Sequence, residues 1–263
     1  MALLKVLRHA RRYGISSVVR KVAAEFPAYL RRLHLWRIRR CTCCERLTIF
    51  LSNGSGESRA CMFCSANERY ELLAAEIKSR YGGKLPKMDV LELDPHSPLR
   101  RILSRARMHV RTFYESTVET GSSRSDGTMC QDITSLTFPD ESFDLIVSSD
   151  VLEHVPLLES AFRESGRVLR QEGAHLFTVP PRSKTKKRAE FVGGNLVHLE
   201  SPEYHRDPLS ATGILAFWDM GPDLGEVFGS DSLRFSIVRG PVGVDKRIVW
   251  MAQRPKSNRL SAK

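Results

Sequence analysis

Four cysteines set in two pairs, Cys41-x2-Cys44 and Cys61-x2-Cys64, with 16 residues between the pairs, are the clearest chemical signal in the chain. Two thiolates from each of two tight knuckles form the donor set of a tetrahedral Zn2+, and a closed four-thiolate shell leaves no position for a substrate, so such a site is structural. Cys43 is able to replace Cys44 as a ligand, and Cys130 reads as an ordinary buried thiol. Disulfides are the rival pairing, but nothing in the sequence points to export. A second group is His198, Tyr204, His205 and Asp207, four proton-handling side chains within "HLESPEYHRD". Of these, His205 is the first choice for a base, with Asp207 or Tyr204 to orient it. A lone histidine is more often structural, and His154 in "VLEHV" reads as a helix-start residue that packs and caps. The run "RSKTKKR", 182 to 188, is a solvated loop or a holder of an anionic group such as a sugar phosphate or a nucleic-acid backbone.

Positioning these groups needs a folded body, and 263 residues at 41% apolar suffice for one α/β domain and a small appendage. No apolar run approaches the roughly 18 residues of a membrane span. The net charge of +11 is concentrated: residues 1–40 hold eleven Lys or Arg against Glu25 alone, leaving the remainder near neutral. That arm mixes Leu, Val and Trp with Arg at loosely helical spacing. It suits an anionic membrane surface, a nucleic acid or a transit role, or else it packs one face on the body and solvates the other. The organisation expected is a basic helical arm over 1–40, a zinc knuckle with connecting helix over 41–83, an α/β domain over 84–254 and a basic tail over 255–263. Between the cysteine pairs, Asn53-Gly54 would turn a short hairpin. Tyr70, Leu73 and Ile77 share a helical face that stops at Gly82-Gly83.

From residue 88 strand and helix alternate. "MDVLEL" is a buried strand, "SPLRRILSRA" a helix with Pro98 in its first turn, and "HVRTFYE" a second strand. "SFDLIVSSD" follows as a strand, "PLLESAFRESGRVLRQEG" as an amphipathic helix closed by Gly173, and "AHLFTVP" as another strand. "LRFSIVRG" and "DKRIVWMAQRP" form an antiparallel edge hairpin. The pattern predicts a doubly wound, mostly parallel sheet covered on both faces, whose ligand lies at the strands' carboxyl ends.

The segment "CQDITSLTFPDESFDLIVSSDVLEHVPLLESAFRESGRVLRQEGAHLFTVPP", 130 to 181, resembles the middle of the class I S-adenosylmethionine-dependent methyltransferases. With two cysteine pairs ahead and "HLESPEYHRDPL" behind, residues 41 to 250 resemble bacterial members that carry a zinc-binding N-terminal segment. The resemblance implies an α/β, Rossmann-like seven-stranded sheet with an antiparallel edge strand, and a cofactor site along successive strand ends. Glu92 stands at the first strand's acid and Asp94 in the loop that meets the cofactor's methionine part. Glu115 closes the second strand where a carboxylate accepts from the ribose hydroxyls. Asp132 accepts from the adenine amino group with Ile133 against the ring, and Ser149 and Asp150 face the departing methyl. The loop departs from the family pattern, which has glycines where this chain has Asp94, His96 and Pro98, so positive φ is less accessible there.

The resemblance implies a cytoplasmic enzyme, membrane-associated if the arm engages lipid, that methylates a small molecule or saccharide. A hydroxyl acceptor would call on His205 as base. The alternatives are a non-catalytic scaffold on the same fold and a nucleic-acid-binding protein or RNA methyltransferase that uses the arm and the cysteine unit together.

Overall fold

The computed structural model describes residues 37–51, 59–207, 210–242 and 247–256. Nearly all of the basic arm, the Asn53-Gly54 turn and the end of the tail lie outside the described residues. The arm's last four residues are not helical: β1 (Arg37–Arg40) pairs antiparallel with β2 (Leu47–Leu51), which pairs with β3 (Ala60–Cys61). The two cysteine knuckles hang from this small sheet. Helix α1 (Glu68–Tyr81) follows and buries Leu73 and Ile77, as their spacing predicts, while Tyr70 is partly buried.

The main sheet has seven strands: β4 (Asp89–Glu92), β5 (Met108–Phe113), β6 (Met129–Cys130), β7 (Phe143–Ser149), β8 (Leu169–Thr178), β15 (Arg234–Val242) and β16 (Arg247–Gln253). Their order is β15-β16-β8-β7-β4-β5-β6. The first five are parallel, and β16 runs antiparallel between β8 and β15. The chain moves outward from β4 to the edge at β6, then returns to place β7 on the other side of β4. The switch point between β4 and β7 is where a doubly wound sheet opens a crevice.

Alternation along the strands sorts side chains onto two apolar clusters. Val90, Leu145, Val147, Leu176 and Val249 face α1 and α2 (Arg100–Leu103). Their neighbours Leu91, Ile146, Phe177 and Trp250 face α3 (Leu158–Val168) and α4 (Leu224–Phe228). Helix α3 meets that second cluster through Leu158, Ala161, Phe162 and Val168. The first cluster is continuous with Cys41, Cys44, Phe50 and Cys61, so the cysteine unit and the sheet share one core.

Three sequence expectations shift. The first βα helix is only α2, with Pro98 ahead of it, and Ser97 Oγ accepts from the Leu99 amide at 3.0 Å to start it. The second strand stops at Phe113, two residues short of Glu115. Gly173 does not close α3: the helix ends at Val168 and the chain passes directly into β8. Glu172 is at φ 65 beside a register irregularity, and a Cβ on Gly173 would sit 2.8 Å from the Arg170 carbonyl oxygen, so glycine serves a bulge there.

Between β8 and α4 the chain builds three small ladders over the sheet's carboxyl edge. They are β9 (Lys186–Lys187) with β14 (Trp218–Asp219), β10 (Ala189–Val192) with β11 (Asn195–His198), and β12 (Tyr204–Asp207) with β13 (Ser210–Leu215). The "RSKTKKR" run is thus partly strand, with Lys186 and Lys187 ion-paired to Glu200 and Glu190. No described helix is long and apolar enough to cross a membrane.

Candidate active site

A cavity of about 590 Å3 opens at the carboxyl ends of β4, β5, β6 and β7, beneath the added ladders. Leu93, Thr112, Phe113, Gln131 and Ile133 come from the strand ends, Val151 and His154 to Leu157 from the segment after β7, and Lys187, Glu190, Phe191 and Ile214 from the ladders. Its size is ordinary for a small-molecule site.

Of the expected cofactor residues, Asp132, Ile133 and Asp150 line this cavity. Asp132 Oδ1 accepts from the Thr134 amide and hydroxyl at 2.8 and 2.7 Å, which fixes the carboxylate beside buried Ile133. Tyr114 stands next to it, its phenol raised by burial and by the Asp132 charge. Asp150 holds φ 51 and is gripped by Arg69 at 2.7 Å and Arg247 at 3.0 Å. From β6 to β7 is three strand spacings, roughly 14 Å, so Asp132 and Asp150 mark the two ends of an elongated crevice.

The remaining expected residues lie outside the lining. Glu115, past the end of β5, is exposed and paired at 2.8 Å with Arg124, whose guanidinium stacks 3.4 Å over Phe113. Glu92 is 1% exposed against His109 at 2.8 Å, and burial pushes its carboxyl above the usual range. Asp94 accepts from the His96 amide at 2.8 Å and from the Tyr70 hydroxyl. Side-chain bonds from Asp94 shape the turn that glycines would otherwise make, and no residue from 93 to 98 has positive φ. Ser149 is buried and bonded to Thr178 at 3.0 Å. The residues present suit an adenosine-bearing, zwitterionic ligand: an acid beside an apolar floor at one end, an acid between two guanidiniums at the other. The expected ribose acid is absent from the lining.

Of the expected proton-handling set, only His205 reaches the neighbourhood of the cavity. His198 and Tyr204 are exposed, and the Asp207 side chain lies outside what the structure describes. The partners of His205 are Glu153 and Glu203 instead of Tyr204: Nδ1 is 3.5 Å from Glu153 Oε1 and Nε2 is 3.1 Å from Glu203 Oε1. These carboxylates raise the imidazole pKa against the opposing effect of burial. His154 lines the cavity, stacks edge-on against His205 at 4.8 Å, and donates through Nδ1 to the Leu215 carbonyl at 2.8 Å. Glu153 is 2% exposed and was not picked out from the sequence, although an acid inside an apolar "VLEHV" is itself a signal. Arg69 and Arg247 were also missed.

The cysteine cluster is set apart from the cavity. The Sγ atoms of Cys41, Cys44, Cys61 and Cys64 all lie within 4.8 Å of one another, with Cys41 to Cys64 at 3.6 Å and Cys44 to Cys61 at 3.8 Å. Zn–S bonds of about 2.3 Å place tetrahedral sulfurs about 3.8 Å apart, so the donor set fits the ion. Cys44 and not Cys43 belongs to this group; the Cys43 thiol donates to the Tyr70 carbonyl at 3.4 Å. Cys130 is buried, bonded to loop carbonyls.

Residues 90–177 match the family model of a methyltransferase domain. The matched domain runs from β4 almost to the end of β8, about a third of the chain, and contains Asp132, Asp150, Glu153 and His154. Solved structures of similar arrangement include a SAM-dependent methyltransferase from Methanosarcina mazei, at 15% identity over 65% of this chain and 93% of that one, TM-score 0.38. Another, from Mesorhizobium loti, is 14% identical over 64% and 91%, TM-score 0.41. The 1,6-didemethyltoxoflavin-N1-methyltransferase of Burkholderia thailandensis is 12% identical over 69% and 76%, TM-score 0.44. No curated protein matches the chain.

Proposed function

We propose that the protein transfers a methyl group from S-adenosylmethionine to a small-molecule or saccharide acceptor bound beneath the added ladders. The observation that carries this reading is the elongated cavity at the strand switch point, inside the segment matched by a methyltransferase domain, with Asp132 and Asp150 at its ends. Asp132, with Oδ1 committed to Thr134, offers Oδ2 to the adenine amino group, and Ile133 packs the ring. Asp150, Arg69 and Arg247 are an acid and two bases suited to the ammonium and carboxylate of the methionine part. When bound, S-adenosylmethionine supplies a methyl group already activated on a sulfonium. The protein's own contribution is alignment and exclusion of water, the latter from Phe191, Leu157 and Ile214 at the mouth. The four-thiol cluster holds a structural Zn2+ that fixes the knuckles on α1.

The competing reading, a scaffold without cofactor, draws on Asp94 and Glu115 both being engaged away from the cavity. Calorimetry with S-adenosylhomocysteine separates the two. Methyl transfer requires saturable 1:1 binding; a flat trace leaves the scaffold.

A further inference from the structure

We infer that Glu153, His154 and His205 form a divalent-cation site of two imidazoles and one carboxylate at the acceptor side of the cavity. The Leu215 carbonyl can only accept, so His154 Nδ1 carries the proton and Nε2 is left with a lone pair. A carboxylate likewise only accepts, so His205 Nε2 donates to Glu203 and Nδ1 is left with a lone pair. Both bare nitrogens face the same atom: Glu153 Oε1 is 3.8 Å from His154 Nε2 and 3.5 Å from His205 Nδ1. Both Glu153 oxygens are buried without a hydrogen-bond partner among the described residues. With the histidines in the neutral tautomers that their outer bonds set, three electron-pair donors converge on one spot, an arrangement that is costly unless protons or a metal cation lie there.

The three ligand atoms lie within 4.8 Å of one another. Bonds of about 2.0–2.2 Å to a metal put neighbouring donors about 3–3.5 Å apart, so rotamer adjustments close the shell. Each histidine already donates its second N–H to an oxygen, the support that orients metal-bound imidazoles. Glu203 is held in turn by Arg182 and by Arg188 at 3.4 Å. A proton on His205 is the rival occupant. It would satisfy the Nδ1 contact, and burial, which raises the Glu153 carboxyl, favours a second proton there, so the metal count decides between protons and a metal ion. Two imidazoles and a carboxylate select a first-row transition ion such as Zn2+ or Fe2+ over Mg2+ or Ca2+. Three protein ligands leave coordination positions open, and one of the three, His154, lines the cavity, which brings the site beside it. There they would take an oxygen of the acceptor, a hydroxyl or carboxylate, the one clause that rests on the proposed methyl transfer.

The test uses the full-length protein, stripped with chelator, dialysed against buffered Zn2+ alone and assayed for bound metal by mass spectrometry, with S-adenosylhomocysteine calorimetry run alongside. The wild type is expected to hold one equivalent more than His154→Ala or His205→Ala, each checked for folding by circular dichroism. Glu203→Gln, which keeps all three ligands, is expected to weaken this equivalent about 10- to 100-fold, and it carries the test if the alanine variants fail to fold. Equal zinc in wild type and histidine variants, or no effect of Glu203→Gln, overturns the site. Zinc lost in the variants with no S-adenosylhomocysteine binding by wild type keeps the cation site and removes methyl transfer; S-adenosylhomocysteine binding with equal zinc does the reverse.

Discussion

Replacing His175 with Gln should flatten the acid side of the stability profile by a calculable amount. His175 lies on β8, fully buried, with Nε2 2.8 Å from Ser148 Oγ and Nδ1 3.3 Å from Ser165 Oγ. Burial lowers its pKa to about 3, against about 6.5 for an unfolded histidine. The folded state therefore refuses a proton that the unfolded chain accepts, so the contribution is fully present above pH 6.5 and is lost as pH falls toward about 3. At pH 5 the unfolded histidine is almost wholly protonated and the folded one is not, which costs about 2 kcal/mol relative to pH 8. The figure is set by the unfolded value: moving the folded pKa by one unit changes it by about 0.1 kcal/mol. Urea unfolding of wild type and His175→Gln at about pH 8 and pH 5 measures the difference between the two drops, cancelling acid effects common to both proteins. Parallel drops would refute the argument, because they would mean that the folded protein protonates His175 as readily as the unfolded chain.

Asp132→Ala is expected to weaken S-adenosylhomocysteine binding about tenfold or more, the worth of one hydrogen bond to a charged group. Glu115→Ala, removing an exposed pair with Arg124, should change it less than about twofold by the same calorimetry. Cys43→Ser should retain the cysteine-bound zinc, whereas Cys64→Ser should lose it and melt at lower temperature, read by metal content and calorimetric scanning. Ile77→Ala, at 0% exposure in the core shared by the cysteine unit and the sheet, should cost about 2–5 kcal/mol in a single urea transition.

The alternation of β4, β7 and β8 was legible because each strand is buried on both faces and its apolar run is bounded by polar turns. The cysteine spacing was equally direct, since ligand geometry dictates it. Glu115 was misjudged for a physical reason: whether an acid after a strand faces the crevice depends on where the strand ends and on Arg124, nine residues away, neither of which periodicity encodes. Gly173 looked like a helix stop because a glycine after an amphipathic run usually marks a C-cap, whereas here it makes room for the Arg170 carbonyl and Glu172 takes the positive φ. Glu153 went unread because His205 meets it across 51 residues of intervening chain. Such a pairing is fixed only when β12 folds back over the segment after β7. Asp94 took over a task usually left to glycine by bonding to Tyr70, which belongs to a helix assigned by sequence to the neighbouring unit.

Helix α1 gives the sheet more than a cover. Near its start, Arg69 reaches Asp150 and Tyr70 reaches Asp94, while Glu71 binds Arg39 and the Thr42 amide within the first knuckle. A trimmed protein beginning at residue 84 would therefore lose the side chains that brace Asp94 and the cavity-lining Asp150, and damage to the thiols would be felt beside them, at the start of the same helix.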